Sequence, residues 1–156
     1  MPVAALSELS YEGGVRALDL QERAVEQLRG RTGLLLAASS LTASFLGGQT
    51  ISHANGLGTL GAIALIALAA SIALSVYVLL PKSGFVFSLS GVRMFEELFD
   101  VENEQEMRRR LVYWLEEYWQ SNQIKIDELS RFFFAAAVAL VLQLAFWAWA
   151  LADTIS

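Results

Sequence analysis

Cysteine is absent from the 156-residue chain, so no disulfide framework, zinc knuckle or thiol nucleophile is available to it. Proline occurs only at Pro2 and Pro81, which leaves long stretches free to be helical. The one histidine, His53, sits in a polar turn and reads as solvated rather than as an external pH or metal sensor. A basic stripe is also missing: the net charge is -5, which argues against a surface built to neutralise nucleic-acid phosphates. Most telling, charge of either sign is missing from three windows, 33–52, 59–80 and 132–152.

Hydrophobic residues make up 55% of the chain, charged ones only 17%, and the mean hydropathy is +0.47, outside the usual soluble range. Each uncharged window is near the ~20 residues that a helix needs to cross a hydrocarbon core. A helix that is apolar all round can also be the centre of a globular core, but a chain this short cannot enclose three of them. The first window follows 32 residues of mixed charge rather than a short basic segment, so it predicts an uncleaved span and not a signal peptide.

All eleven basic residues flank these windows on one side. Arg16, Arg23, Arg29 and Arg31 precede the first, and Lys82, Arg93, Arg108, Arg109, Arg110, Lys125 and Arg131 lie between the second and third. Positive charge favours the cytoplasmic side. The N-terminus and 81–131 are therefore expected in the cytoplasm of a multi-pass protein of the inner (cell) membrane, with the loop 53–58 and the tail 153–156 outside. Trp147 and Trp149 would then mark the outer interface.

Residues 1–16, around Gly13 and Gly14, predict a flexible start. A cytoplasmic helix over 17–32 is expected to open at an Asp19/Glu22 capping box and to continue into span one, with Leu18, Val25, Leu28 and Thr32 on one face. Gly47, Gly48, Asn55, Gly56 and Gly58 predict a tight outer turn that makes spans one and two an antiparallel hairpin. Over 83–100 the pattern is mixed. Phe85, Phe87 and Leu89 alternate as in a strand, whereas Val92, Phe95, Leu98 and Phe99 recur as in a short helix. Such a segment would rest on lipid headgroups or pack on the cytoplasmic bundle. No glycine follows Gly91 and no proline follows Pro81, so one helix of ~50 residues, ~75 Å long, is expected from Glu102 to Ala152. Its stripe of Met107, Leu111, Leu115, Tyr118, Asn122, Ile126, Leu129 and Phe133 asks for a helical partner. The 18–32 stripe, reinforced by further copies of the chain, supplies one. The expected fold class is thus all-α: an integral membrane protein with three transmembrane helices and long cytoplasmic helical extensions forming a bundle.

Few residues suggest chemistry. Asp100, Glu102, Glu104 and Glu106 stand at every second position, but the turn glycine and closing acid of a calcium loop are missing. Acids at a helix start complement its dipole instead. Arg108, Arg109 and Arg110 point ~100° apart on a helix. They either pair with neighbouring acids or, with Trp114, Tyr118 and Trp119 as stacking surfaces and Asn122 beside them, contact a partner or a phosphorylated or nucleotide ligand. Within the spans, Ser39, Thr42 and Gln49 share a face, Ser71 and Ser75 are one turn apart, and Gln143 interrupts the third. Polar groups in lipid face protein or water. These either bond helix to helix, with Gly61, Ala69 and Ala73 at close contacts, or line a pore made by several subunits. No span holds an ionisable residue, which argues against a proton relay. No phosphate loop, metalloprotease helix or nucleophile elbow occurs, so no enzyme, cofactor or metal centre is expected.

The layout resembles a known group. A membrane hairpin preceded by L-D-L-Q-E-R-A-V-E-Q-L-R-G-R-T-G (18–33) and followed by W-L-E-E-Y-W-Q-S-N-Q-I-K-I-D-E-L (114–129) is similar to the small bacterial SLATT-type and Pycsar-type transmembrane effectors of antiphage defence. That resemblance implies an oligomer in the lipid bilayer whose cytoplasmic part answers a nucleotide signal of infection and whose spans then compromise the membrane. No separate cyclic-nucleotide-binding domain is legible, so a cytoplasmic sensor protein is the expected partner. A non-conducting scaffold or accessory subunit that recruits a partner through the same helices is the alternative.

Overall fold

The computed structural model describes residues 3–49, 58–98 and 103–155, and among them every regular element is helical. Helix α1 is Val3–Thr42 and runs into a π-helical turn, Ala43–Gly47; α2 is Thr59–Leu79, α3 is Gly91–Leu98 and α4 is Glu104–Ile155. The chain forms two compact units. The first comprises Met1–Glu26 and Lys82–Glu128, the second Gln27–Pro81 and Leu129–Ser156.

The expected flexible start is helical from Val3, and no cap stands at Asp19, which is an exposed mid-helix residue. Packing accounts for the difference. A Cβ on Gly14 would lie 2.9 Å from Leu115 Cδ1 and 3.1 Å from its Cβ, so the glycine, a weak helix former, is retained where α1 and α4 approach closely. Gly14→Ala should therefore lower the melting temperature, because overpacking of about 1–3 kcal/mol exceeds the roughly 1 kcal/mol gained in helix propensity. Adding Leu115→Ala should recover part of that loss, a non-additivity that a double-mutant cycle measures.

One period organises both long helices. On α1 the buried residues Leu18, Val25, Thr32 and Ser39 are seven apart; on α4 so are Leu115, Asn122, Leu129, Ala136, Gln143 and Ala150. A seven-residue seam keeps one face against a neighbouring helix. In the first unit, Glu8 faces Arg108, Gly14 faces Leu115, and Gln21 Nε2 donates to the Trp119 carbonyl at 2.9 Å and to Gln123 Oε1 at 3.2 Å. Those segments of α1 and α4 are therefore parallel. In the second unit Ser39 meets Gln143 and Gly47 meets Trp147, again parallel. Helix α2 runs the opposite way, with Ser71 at Ala136 and the Tyr77 ring 4.3 Å from that of Phe132.

Among the described residues two helices, α2 and the 104–153 stretch of α4, are long and apolar enough to cross a membrane. A third was expected at 33–52. Its described part, 33–49, changes from α to π geometry at Ala43 and carries Ser39, Ser40, Thr42, Ser44 and Gln49, which dilute its apolar character. Of the glycines expected to form the outer turn, Gly47 and Gly48 are helical and Gly58 precedes α2, whereas His53, Asn55 and Gly56 lie outside the described residues. Small residues do line the contacts of α2, but they are Gly61, Ala64, Ser71 and Ser75, whereas Ala69 and Ala73 are exposed. Trp149 is exposed. Trp147 is buried against Gly47.

Candidate functional site

The second unit contains a layer of polar side chains at the centre of three helices. Ser39, Ser71, Ser75, Gln143 and Thr32 are all fully buried. The Ser39 and Ser71 hydroxyls lie 3.1 Å apart, Ser71 Oγ donates to the Ala136 carbonyl at 3.2 Å, and Gln143 Nε2 donates to the Ser39 carbonyl at 3.0 Å. Three bonds thus join the three helices pairwise: a hydroxyl pair, a hydroxyl on a backbone carbonyl and a side-chain amide on a backbone carbonyl. Thr32 turns inward on its own helix, donating to the Leu28 carbonyl at 2.7 Å, a pattern open to a hydroxyl four residues on.

The layer is incompletely satisfied. Ser75 Oγ, Gln143 Oε1 and Trp147 Nε1 are buried without a partner, and such groups carry a desolvation penalty of about 1–3 kcal/mol each. The residues singled out from the sequence therefore divide. Ser39, Ser71 and Gln143 come together inside one protomer with Ser75 one turn away, whereas Thr42 is half-buried and Gln49 exposed. The indole nitrogen of Trp147 escaped the sequence reasoning. Its spacing of four from Gln143, on the same helical face, is the signal that would have found it.

In the first unit, the segment between Pro81 and α3 is an irregular strap held to α4. Asn122 is fully buried; its Nδ2 donates to the Val86 carbonyl at 2.8 Å and its Oδ1 accepts from the Val86 amide at 3.1 Å. Lys125 donates to the Gly84 carbonyl and lies 5.6 Å from the centre of the Phe85 ring, which stacks on Phe87. Gly84 has φ +100, a conformation natural to glycine. The alternation of Phe85, Phe87 and Leu89 thus marks no strand, and α3 accounts for the helical spacing that follows.

The arginine run is divided among neighbours. Arg108 bonds to Glu104 at 2.7 Å and faces Glu8 at 3.9 Å; Arg110 donates to Glu106 at 3.4 Å. Arg109, 3.8 Å from Glu106, lines a groove of about 480 Å³ with Ser7, Ser10 and Tyr113. Trp119 lines a different groove beside Gly13 and Glu116, while Trp114 and Tyr118 are half-buried. Asn122, predicted as a ligand or partner contact, has its amide occupied by the strap. No protein-family model, curated protein or solved structure matches this chain.

Proposed function

We propose that the chain is a self-associating, three-span membrane effector of bacterial defence, of the SLATT or Pycsar kind, with its N-terminus and 81–131 in the cytoplasm. The buried polar layer is the closed form of a hydrophilic path. The observation that carries this reading is the orphaned trio of Ser75 Oγ, Gln143 Oε1 and Trp147 Nε1. A unit that served only as an anchor would bear their desolvation for nothing, whereas helices that part in an oligomer would give them water. The parallel run of α1 and α4, with α2 reversed, supports three crossings. The continuity of α4 from Glu104 to Ile155 offers a mechanical link by which repacking of the cytoplasmic extension, on a nucleotide signal or a sensor partner, shifts span three.

Induced expression in bacteria, with membrane potential and growth followed together, tests this. The intact protein should depolarise the cell. Thr42→Leu with Gln49→Leu changes a half-buried and an exposed polar residue of this segment and leaves the Ser39–Ser71–Gln143 bonds intact; depolarisation should fall while membrane insertion is unchanged. Ser39→Ala with Gln143→Leu should abolish it. The second reading, a non-conducting scaffold, is favoured by the bonds that Ser39, Ser71 and Gln143 make within one protomer. It predicts no depolarisation by any of these proteins, even under phage challenge.

A further inference from the structure

The second unit segregates its charge. Its lysines and arginines reduce to Arg29, Arg31 and Arg131, and its one carboxylate side chain is Asp153. Because α1 and α4 run parallel here, with Ser39 at Gln143 and Gly47 at Trp147, the three arginines share one end of the unit, which the Tyr77–Phe132 ring contact also marks. Asp153 follows Arg131 by 22 residues, about 33 Å of helix, close to the roughly 30 Å of a hydrocarbon core.

These arginines are not neutralised. Arg16, Arg108, Arg109 and Arg110 of the first unit each meet a glutamate, whereas among the described residues Arg29, Arg31 and Arg131 make no ion pair and no side-chain hydrogen bond. Arg29 is half-buried, and its Nε is shut off from solvent without an acceptor. Arg31 and Arg131 are exposed. One turn on, on the same helical faces, stand Leu34 and Phe134, 74% and 69% exposed. A guanidinium one turn outside an exposed apolar residue is placed to leave hydrocarbon for the headgroup layer.

We propose that Arg29, Arg31 and Arg131 bind the phosphates of anionic phospholipid headgroups, whose acyl chains lie along the exposed apolar faces beyond them. A guanidinium grips phosphate oxygens in bidentate fashion, and anionic headgroups attract basic residues at the membrane surface. Orientation by positive charge requires no particular lipid; three arginines without carboxylate partners select one. A soluble phosphate would meet the arginines but leave Leu34 and Phe134 uncovered. The inference rests on the membrane-spanning reading of this unit and holds whether or not the spans conduct.

The test reconstitutes the full chain in phosphatidylcholine bilayers with a trace of spin-labelled lipid, either phosphatidylglycerol or phosphatidylcholine, and compares how much of each label the protein surface immobilises. Phosphatidylglycerol should be favoured about fivefold, the worth of one arginine near an anionic surface, and less as salt rises. Arg31→Gln with Arg131→Gln, at exposed positions where helix content should not change, should bring the two lipids close to equality. Arg29→Gln alone should lower the preference, and Arg16→Gln in the first unit should leave it as it is. Three outcomes overturn the proposal while leaving the spans in place: equal immobilisation of the two lipids by the parent, a preference that survives all three substitutions, or one abolished by inorganic phosphate but not by chloride of equal ionic strength, which would make this a site for a soluble anion. Immobilisation of neither lipid would overturn the membrane reading and the proposal with it.

Discussion

Asn122→Ala is expected to release the strap over 83–90 from α4. The substitution removes a hydrogen bond in each direction and leaves the Val86 amide and carbonyl without partners beside a buried site. Two neutral bonds at about 1 kcal/mol each, plus part of the desolvation of the stranded groups, amount to roughly 2–3 kcal/mol. Since ~1.4 kcal/mol is tenfold in an equilibrium constant, local opening should rise about 30- to 140-fold. The strap lies between two tryptic positions, Lys82 and Arg93. If opening and closing are fast relative to cleavage, the rate of limited trypsin digestion there should rise in proportion, while cleavage at Arg16 or Arg23 in α1 stays as in the parent. Asn122→Asp separates the two bonds, because a carboxylate still accepts from the amide but meets the carbonyl with an oxygen. It should open the strap at least as far as alanine does. Lys125→Met, which removes the contacts to Gly84 and Phe85, should have a smaller effect because the ammonium is solvated. Digestion of Asn122→Ala at the parental rate would mean that the strap is held by its phenylalanines alone.

Much of this architecture is legible in the sequence where one physical signal acts alone. The second uncharged window and the start of α4 fall where composition and the lack of glycine and proline put them. The stripe through Leu111, Leu115, Asn122 and Leu129 is buried as its spacing requires. Illegible were the features settled by a distant partner. Gly13 and Gly14 have the propensity of a loop, yet Leu115 holds their neighbourhood in a helix. The strap alternates like a strand but is ordered by Asn122, 36 residues away, and nothing local to Phe85 or Phe87 encodes that. Ser39, Thr42, Gln49, Ser71, Ser75 and Gln143 were visible in the spans. Which of them meet was not, because a helical wheel gives a face and not the register between helices; only the three-dimensional pairing distinguishes Ser39 and Ser71, bonded to each other, from Thr42 and Gln49.

Trp147 gives the sharpest test of the orphaned layer. Its ring is 1% exposed and approaches the place of a Gly47 Cβ at 3.2 Å, so Trp147→Ala leaves a cavity that the π-helical turn cannot fill without moving. Large-to-small changes at buried aromatics cost about 3–5 kcal/mol in water-soluble proteins. Inside a bilayer the transfer term is largely absent while lost packing remains, so about 3 kcal/mol is expected, seen as a lower unfolding temperature in detergent or lipid. Trp147→Phe is the informative companion. It keeps an aromatic ring against Gly47, gives up some volume, and removes an indole N–H that has no acceptor. Loss of an unsatisfied donor offsets part of the lost packing, so phenylalanine should cost less than half as much as alanine. If instead phenylalanine is as damaging as alanine, the N–H must find a hydrogen-bond acceptor in the membrane. Because Gln143 Oε1 and Ser75 Oγ are the other orphans of that layer, the simplest acceptor is then water bound within it, and the path proposed to open on activation would already be hydrated at rest.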